Sequence, residues 1–491
     1  MLMLRCPRSR QPERAYAARV LLEEVLGLPF ILEWEDREDW ELRVAGDSGQ
    51  GAVLLLSDVL LGMPERKWLS PDSLPREPLA RLDMEEVGSL PVIYGELLET
   101  EGERGSSHEE KRAAVGPDAE GRLIREEGEG TVLRCGLDLF GSSFFMLTRY
   151  EEMVIPDRDS HGRFPVRASL AYREDFLDFP VVNAYAELLW SLLLRLWPRL
   201  DGLRRRRQVR KVVSHDVDHP FFAHRRRGRF SLIKEAAADA LKRRDFEAAW
   251  KKGRLLPWAA GGGDRVRETD PYNTFRWLME QSERAGVRSS FYFIPEQTDP
   301  RYDEAYTLED PEIAGLLRTI HARGHEIGLH PGYGAYLSPQ DIRRQFALLR
   351  QGAEVAGVRQ DAWGGRQHFL RWRAPDTWQA WEEAGLDYDS SLGYPDSPGF
   401  RCGICQEYPV FNLATRRMLK LRERPLIVME QTVWHPEHGG DRCEARAFER
   451  IRRLYRQCAR YGGDFTLLWH NSELVHQADR RLYRKCLEEL S

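Results

Sequence analysis

The sequence predicts an α/β protein: a (β/α) barrel over residues 206–491, preceded by a smaller α/β domain over residues 1–205. Three observations predict it. Beyond residue 208, short apolar runs alternate with amphipathic helical stretches, the pattern of βα units around a parallel sheet. Several of those runs end in polar clusters, which such a barrel gathers at one face. The run Arg204–Arg207 marks a break in composition between the two regions and reads as a linker.

The elements follow in order. Residues 15–27 read as an amphipathic helix with Val20, Leu21, Val25 and Leu26 apolar. Val53–Leu56 and Pro91–Tyr94 read as short buried strands. Residues 100–130 are rich in Gly and Glu and read as a mobile insertion. Residues 135–152 read as a helix that packs Phe144, Phe145 and Leu147 inward, and Val181–Trp197 as a second helix. After the strand K-V-V-S-H-D-V-D-H come a helix Thr274–Ala285 stopped at Gly286, a strand Arg288–Ile294 and a helix Pro311–Arg323 stopped at Gly324. A strand His325–His330, a helix 339–356, a strand near Gln367–Trp372 and a helix Thr377–Ala384 continue the alternation. Strands Leu426–Met429 and Phe465–Trp469, with a helix Ala445–Tyr461 between them, complete it.

Composition bounds the function. The 491 residues are 42% hydrophobic and 31% charged, enough for two or three domains. A net charge of −5, from 73 basic and 78 acidic residues, implies no bulk attraction to nucleic acid or to an anionic membrane. Arg225–Arg227 is a local basic run, read as a solvated face rather than a dock for an anionic polymer. Seven cysteines in a chain this long do not form a disulfide scaffold. Cys402 and Cys405 make one C-x-x-C without the second pair a zinc ribbon needs. The start, M-L-M-L-R-C, is charged too soon for a signal peptide, and Leu188–Trp197 is too short to span a bilayer. The expectation is a cytoplasmic protein with no membrane span.

Five polar clusters could carry chemistry. On an extended strand, Asp216 and Asp218 point the same way. Two such carboxylates repel unless a cation sits between them, so the pair suits a metal, with one acid left as a base. His330 ends the next-but-one strand in G-H-E-I-G-L-H and is a candidate ligand, whereas alternation turns His325 away into the core. In R-Q-H-F-L-R-W-R-A-P, Arg366 and His368 share a side and Arg373 takes the other; an arginine here can hold a carboxylate ionised. His470, ending F-T-L-L-W-H, is a candidate general acid. Asp387 and Asp389 read as a helix-to-strand turn.

The order of these motifs resembles the NodB-homology polysaccharide deacetylases, metal-dependent carbohydrate esterases with a distorted (β/α) barrel. S-H-D-V-D-H looks like a variant of the family's first motif, G-H-E-I-G-L-H like its second, Arg373-Ala374-Pro375 like its third, and L-L-W-H like its last. The resemblance implies that Asp216 is the base, Asp218 and His330 metal ligands, Arg373 the residue that positions Asp216, and His470 the acid. It implies a divalent metal, zinc being expected. The family's second motif carries another histidine four residues on; here that position is Gly334, and His368 is the candidate replacement. The first half, with F-M-L-T-R-Y-E-E from Phe145 to Glu152 and D-S-H-G-R-F from Asp159 to Phe164, looks like an uncharacterised domain that precedes some bacterial deacetylases.

These readings imply hydrolytic removal of an N-acetyl or other acyl group from a polysaccharide or related sugar, with Trp372 and Trp434 as candidate platforms for the sugar ring. Two alternatives stay open: an amidase acting on a small non-sugar amide, and a non-catalytic glycan-binding protein.

Overall fold

The computed structural model describes residues 1–45, 51–84, 88–97, 124–127, 132–224, 229–256, 268–434, 443–488 and 490. The protein is mixed α/β and divides into two compact units. The first comprises Met1–Arg158, Phe164–Gln208 and Phe400–Lys420; the second comprises Asp159–Arg163, Val209–Gly399 and Leu421–Ser491. Each unit therefore borrows a short segment from the sequence territory of the other.

The first unit is built on a six-stranded sheet. Its strands are β1 (Leu2–Pro7), β2 (Phe30–Glu35), β3 (Trp40–Val44), β4 (Val53–Leu56), β7 (Ile124–Glu127) and β8 (Val132–Cys135), in the order β2-β1-β3-β4-β8-β7. β5 (Arg81–Met84) and β6 (Gly88–Pro91) form a separate antiparallel pair. The helix expected over residues 15–27 is an α-helix, Gln11–Ala18, running on into a π-helical stretch, Arg19–Leu26. The helix expected over 135–152 is broken in two. Leu139–Leu147 is wholly buried, with Asp138 as its N-cap accepting from Gly141 N. Tyr150–Val154 follows after Arg149, which adopts a φ of 54°. In the F-M-L-T-R-Y-E-E run, Glu152 Oε1 accepts from Arg149 Nε at 2.9 Å and from Arg401 Nε at 3.0 Å. Glu151 accepts from Arg149 Nη2 at 2.8 Å. All four side chains are buried, and the charges compensate one another. The run thus serves the interior of this unit. Of the insertion expected at 100–130, all but the strand β7 lies outside the described residues.

The second unit is built on a parallel sheet. Its strands are β9 (Arg210–Val217), β10 (Ser289–Phe293), β11 (Glu326–Leu329), β12 (Gly364–Gly365), β13 (Tyr388–Asp389), the end of β15 (Arg417–Glu423), β16 (Val428–Met429) and β17 (Asp464–Leu468). They lie in the order β15-β13-β12-β11-β10-β9-β17-β16, every pairing parallel. The remaining strand, β14 (Tyr408–Asn412), falls in the first unit. Helices Phe275–Arg284, Pro311–Ala322, Pro339–Val355, Asp376–Ala384 and Glu444–Arg460 alternate with the strands. Buried Val, Leu, Ile and Phe line β9, β10, β11 and β17, as a sheet covered on both faces requires. β12 is the exception. A Cβ on Gly365 would stand 1.8 Å from Leu329 O, and one on Gly364 2.4 Å from the Tyr388 ring. Glycine is needed there because neighbouring chain approaches too closely for any side chain.

Of the strand expected over Pro91–Tyr94 only Pro91 is extended, as the end of β6, and the strand expected near Gln367–Trp372 is absent. After β12 the chain forms a 3-10 turn, His368–Leu370, with Phe369 and Leu370 at φ 61° and 53°. Two consecutive positive φ values are incompatible with an extended run across 367–372. Asp159–Arg163, the part of the D-S-H-G-R-F motif that belongs to this unit, braces the turn. Arg163 Nη1 donates to Phe369 O at 2.8 Å, and Arg371 Nε donates to His161 O at 2.8 Å. Asp159 in turn accepts from Arg163 N and Nε.

Candidate metal centre

The site is assembled at the C-terminal ends of the parallel strands. Asp216 belongs to β9 and Asp218 lies just past its end; His330 follows β11, Arg366 follows β12, His368 opens the 3-10 turn, and His470 follows β17.

Asp218, His330 and His368 form a group that could hold a metal ion, with one ligating atom from each lying within 4.8 Å of the others. His330 Nε2 lies 3.1 Å and His368 Nε2 3.6 Å from Asp218 Oδ1. That oxygen is buried and has no hydrogen-bond partner. A buried carboxylate oxygen left unpaired beside two imidazoles is costly, and a cation at their meeting point would remove the cost. The far side of each ring fixes its tautomer. His330 Nδ1 is 2.6 Å from Arg366 O, a carbonyl that only accepts, so Nδ1 carries the proton. His368 Nδ1 is 2.9 Å from Asp303 Oδ1. In the neutral rings both Nε2 lone pairs are thus presented to the site, the arrangement metal-binding histidines use. One oxygen and two imidazole nitrogens with open positions match the donor set of a catalytic zinc or similar divalent ion.

Charge is arranged to match. Burial raises the Asp218 pKa, but the charge of His368 and the nearness of both rings reverse this and hold it well below the usual carboxylate range. Burial lowers the His368 pKa, and Asp218 and Asp303 more than reverse that, holding it up at about 9. Asp303 is kept ionised. Burial opposes ionisation, but His368, the Tyr333 and Asp299 backbone amides and the Thr298 hydroxyl all donate to its carboxylate.

Two further groups flank this centre. Arg366, fully buried, donates from Nη1 to Asp216 Oδ1 at 2.8 Å and to Ser214 Oγ at 3.0 Å. Its Nε and Nη2 donate to Ser390 O and Oγ at 2.8 and 2.9 Å. Asp216 is thereby fixed, with Oδ2 3.8 Å from His330 Nε2. His470 Nε2 faces Asp218 Oδ2 at 3.6 Å, while its Nδ1 is 2.5 Å from Glu430 Oε1. Burial lowers the His470 pKa, but Glu430, Asp218 and Asp216 raise it to about 10.

The structure brings together Asp216, Asp218, His330, Arg366, His368 and His470. Arg373 stands apart: its side chain is 44% exposed and paired with Asp376. Gly334 is exposed and donates its backbone N–H to Thr298 Oγ1. Trp372 and Trp434 do not offer the open faces expected of sugar platforms. Trp372 is buried against Trp378, with ring centroids 4.8 Å apart, and Trp434 is buried with Nε1 donating to Asp479. His325 is a core histidine whose Nδ1 accepts from Ser289 N. Asp389 is buried beside Ser391, and burial pushes its pKa up to about 7 against the pull of Ser391 and Arg366. Two residues escaped sequence reasoning. Glu430 directly follows strand β16, the same strand-end signal that singled out His470. Asp303 lies in a loop and carries no such signal.

Residues 2–198 match the model of a family described as a family of unknown function, DUF7033. The comparison with curated proteins found no match. Among solved structures, the chain is similar to a Mycobacterium smegmatis protein assigned to the polysaccharide deacetylases, at 17% identity and a TM-score of 0.38 over 58% of this chain and 84% of that one. It is similar to Puue allantoinase at 13% identity and a TM-score of 0.36, over 60% and 86%. It is also similar to the polysaccharide deacetylase Bc1974 from Bacillus cereus, at 10% identity and a TM-score of 0.28, over 58% and 88%.

Proposed function

We propose that the second unit is a metal-dependent hydrolase that removes N-acetyl or related acyl groups from a polysaccharide or other sugar substrate. The observation that carries this reading is the unpaired, buried Asp218 Oδ1 facing the Nε2 atoms of His330 and His368. Asp218, His330 and His368 would hold a divalent ion, zinc by its donor set. Bound there, such an ion supplies Lewis-acid polarisation of the scissile carbonyl and acidifies water.

The protein's own groups do the rest. Asp216, held by Arg366, accepts the proton of the attacking water. His470, held protonated by Glu430, delivers a proton to the departing amine nitrogen. Arg366 acts as a positioning residue, the role the motif resemblance implied for Arg373. A glycan-binding protein without chemistry would have no use for a carboxylate and an imidazolium fixed on either side of a metal centre.

The test is acetate release from N-acetylated oligosaccharides, set against hydrolysis of small non-sugar amides. The expected outcome is release from the oligosaccharides by the wild type and a loss of ~10²–10⁴-fold in Asp216→Asn. Turnover of the small amides alone would make the protein an amidase. Near-wild-type turnover by Asp216→Asn would remove Asp216 from the reaction.

A further inference from the structure

Outside the site, large apolar side chains stand in solvent on one helical hairpin of the second unit, formed by helices Arg229–Leu241 and Phe246–Gly253. Phe230 and Leu241 are each 81% exposed, Phe246 72%, Trp250 61% and Ile233 50%. Their spacing is helical. Phe230, Ile233, Ala237 and Leu241 fall on one stripe of the first helix, and Phe246 and Trp250, four apart, on one stripe of the second. The opposite stripes are the ones that pack. Leu232 joins a buried cluster with Phe222, Leu255 and Tyr272, and Lys252 is buried between Glu235 and Asp239 at 2.8 Å from each. The hairpin is therefore seated on its own unit through one face and presents a second apolar face outward.

That outer face is strongly basic. Lys234, Lys242, Arg243, Arg244 and Arg254 are exposed on the hairpin, Arg243 paired with Asp239; among the hairpin's described residues the one exposed acid, Glu247, is paired with Lys251 and His476. The chain as a whole carries −5. Rings and aliphatic chains flanked by lysines and arginines are the composition that enters the headgroup region of a bilayer, with the cations meeting lipid phosphates.

We infer that this hairpin docks the protein onto an anionic lipid surface. Two other occupants fit less well. A symmetric contact between two copies would set the basic side chains of one against those of the other. A hydrophilic polyanion would pair with the cations and could stack on the rings, but it would leave Ile233 and Leu241 without a partner. The hairpin is also tied firmly enough to act as a rigid anchor. Lys251 Nζ donates to Val475 O at 2.7 Å and His476 Nε2 lies 2.7 Å from Asp245 Oδ2, both on the segment that follows His470. The inference is independent of the hydrolytic reading, because it is tested by binding alone.

The experiment is co-sedimentation of the full chain with vesicles of phosphatidylcholine alone or containing phosphatidylglycerol. Binding to the anionic vesicles at ~0.1 M salt, weakened at ~1 M, is the expected result. Phe246→Ser with Trp250→Ser, and separately Lys242→Glu with Arg244→Glu, should each weaken it by about tenfold or more. Circular dichroism checks that the variants fold. Should the serine pair unfold, the charge-reversal pair, on solvated side chains, decides. Absence of binding to anionic vesicles would overturn the inference, as would binding that the folded variants leave unchanged. A patch-dependent dimer formed without lipid, or patch-dependent binding to a soluble polyanionic glycan in place of vesicles, would equally overturn it.

Discussion

At the scale of single residues, the site is defined by where protons sit. The imidazole of His368 lies between the carboxylates of Asp218 and Asp303, which, against burial, hold its pKa up at about 9. An ion must displace the proton that the ring carries at pH 7. Metal binding at pH 7 is therefore expected to release about one proton per ion, and affinity should rise about tenfold per pH unit until near pH 9. Calorimetry in buffers of different ionisation enthalpy measures the release; binding without it would contradict the assigned ligand. The same shift sets stability. A histidine whose pKa is raised on folding stabilises the protein below its unfolded value of 6.5 and loses that contribution as pH climbs through the folded value. The metal-free protein's melting temperature should accordingly fall between about pH 6.5 and 9. Asp303→Asn removes the carboxylate that orients His368 and should cost ~10–100-fold in metal affinity, read by chelator competition.

At the scale of elements, the strand ends do the positioning, and they separate what the sequence could show from what it could not. The βα alternation was legible because strands and helices differ in apolar period, so β9, β10, β11 and β17 fall where the pattern places them. Asp216, Asp218, His330 and His470 were legible for the same reason: each is a polar residue just after an apolar run. The turn at 368–370 was not, because positive φ at Phe369 and Leu370 leaves no mark in a sequence of ordinary residues. That turn sends Arg373 away to Asp376 and leaves Arg366 on Asp216. No sequence signal marks that the Trp372 ring is spent on Trp378 and that Trp434 is spent on a hydrogen bond to Asp479. Two expectations follow. Arg366→Lys, which cannot reproduce the planar fork to Asp216, Ser214 and Ser390, should lower turnover far more than Arg373→Ala, which loses only a solvated ion pair. Gly365→Ala should destabilise the protein by ~1–3 kcal/mol in denaturant titration, because the added methyl must push apart β11 and β12 directly beside Arg366.

At the scale of the whole molecule, the two units exchange pieces of chain. Asp159–Arg163, early in the sequence, braces the His368 turn, and Phe400–Lys420, late in the sequence, contributes buried Phe400, Ile404, Tyr408, Val410 and Phe411 to the first unit. A cut at the Arg204–Arg207 run, natural from composition, would strip the brace from the ligand turn and strand an apolar segment. Residues 209–491 expressed alone should therefore be less soluble than the full chain and bind metal more weakly. Metal content is the sharpest measure of the proposed metal centre. Purified wild-type protein and Asp218→Ala, His330→Ala and His368→Ala, confirmed folded, would be loaded with zinc, desalted and analysed. The expected result is one ion per wild-type chain and none, or nearly none, in each variant; one ion per chain in all four would contradict it.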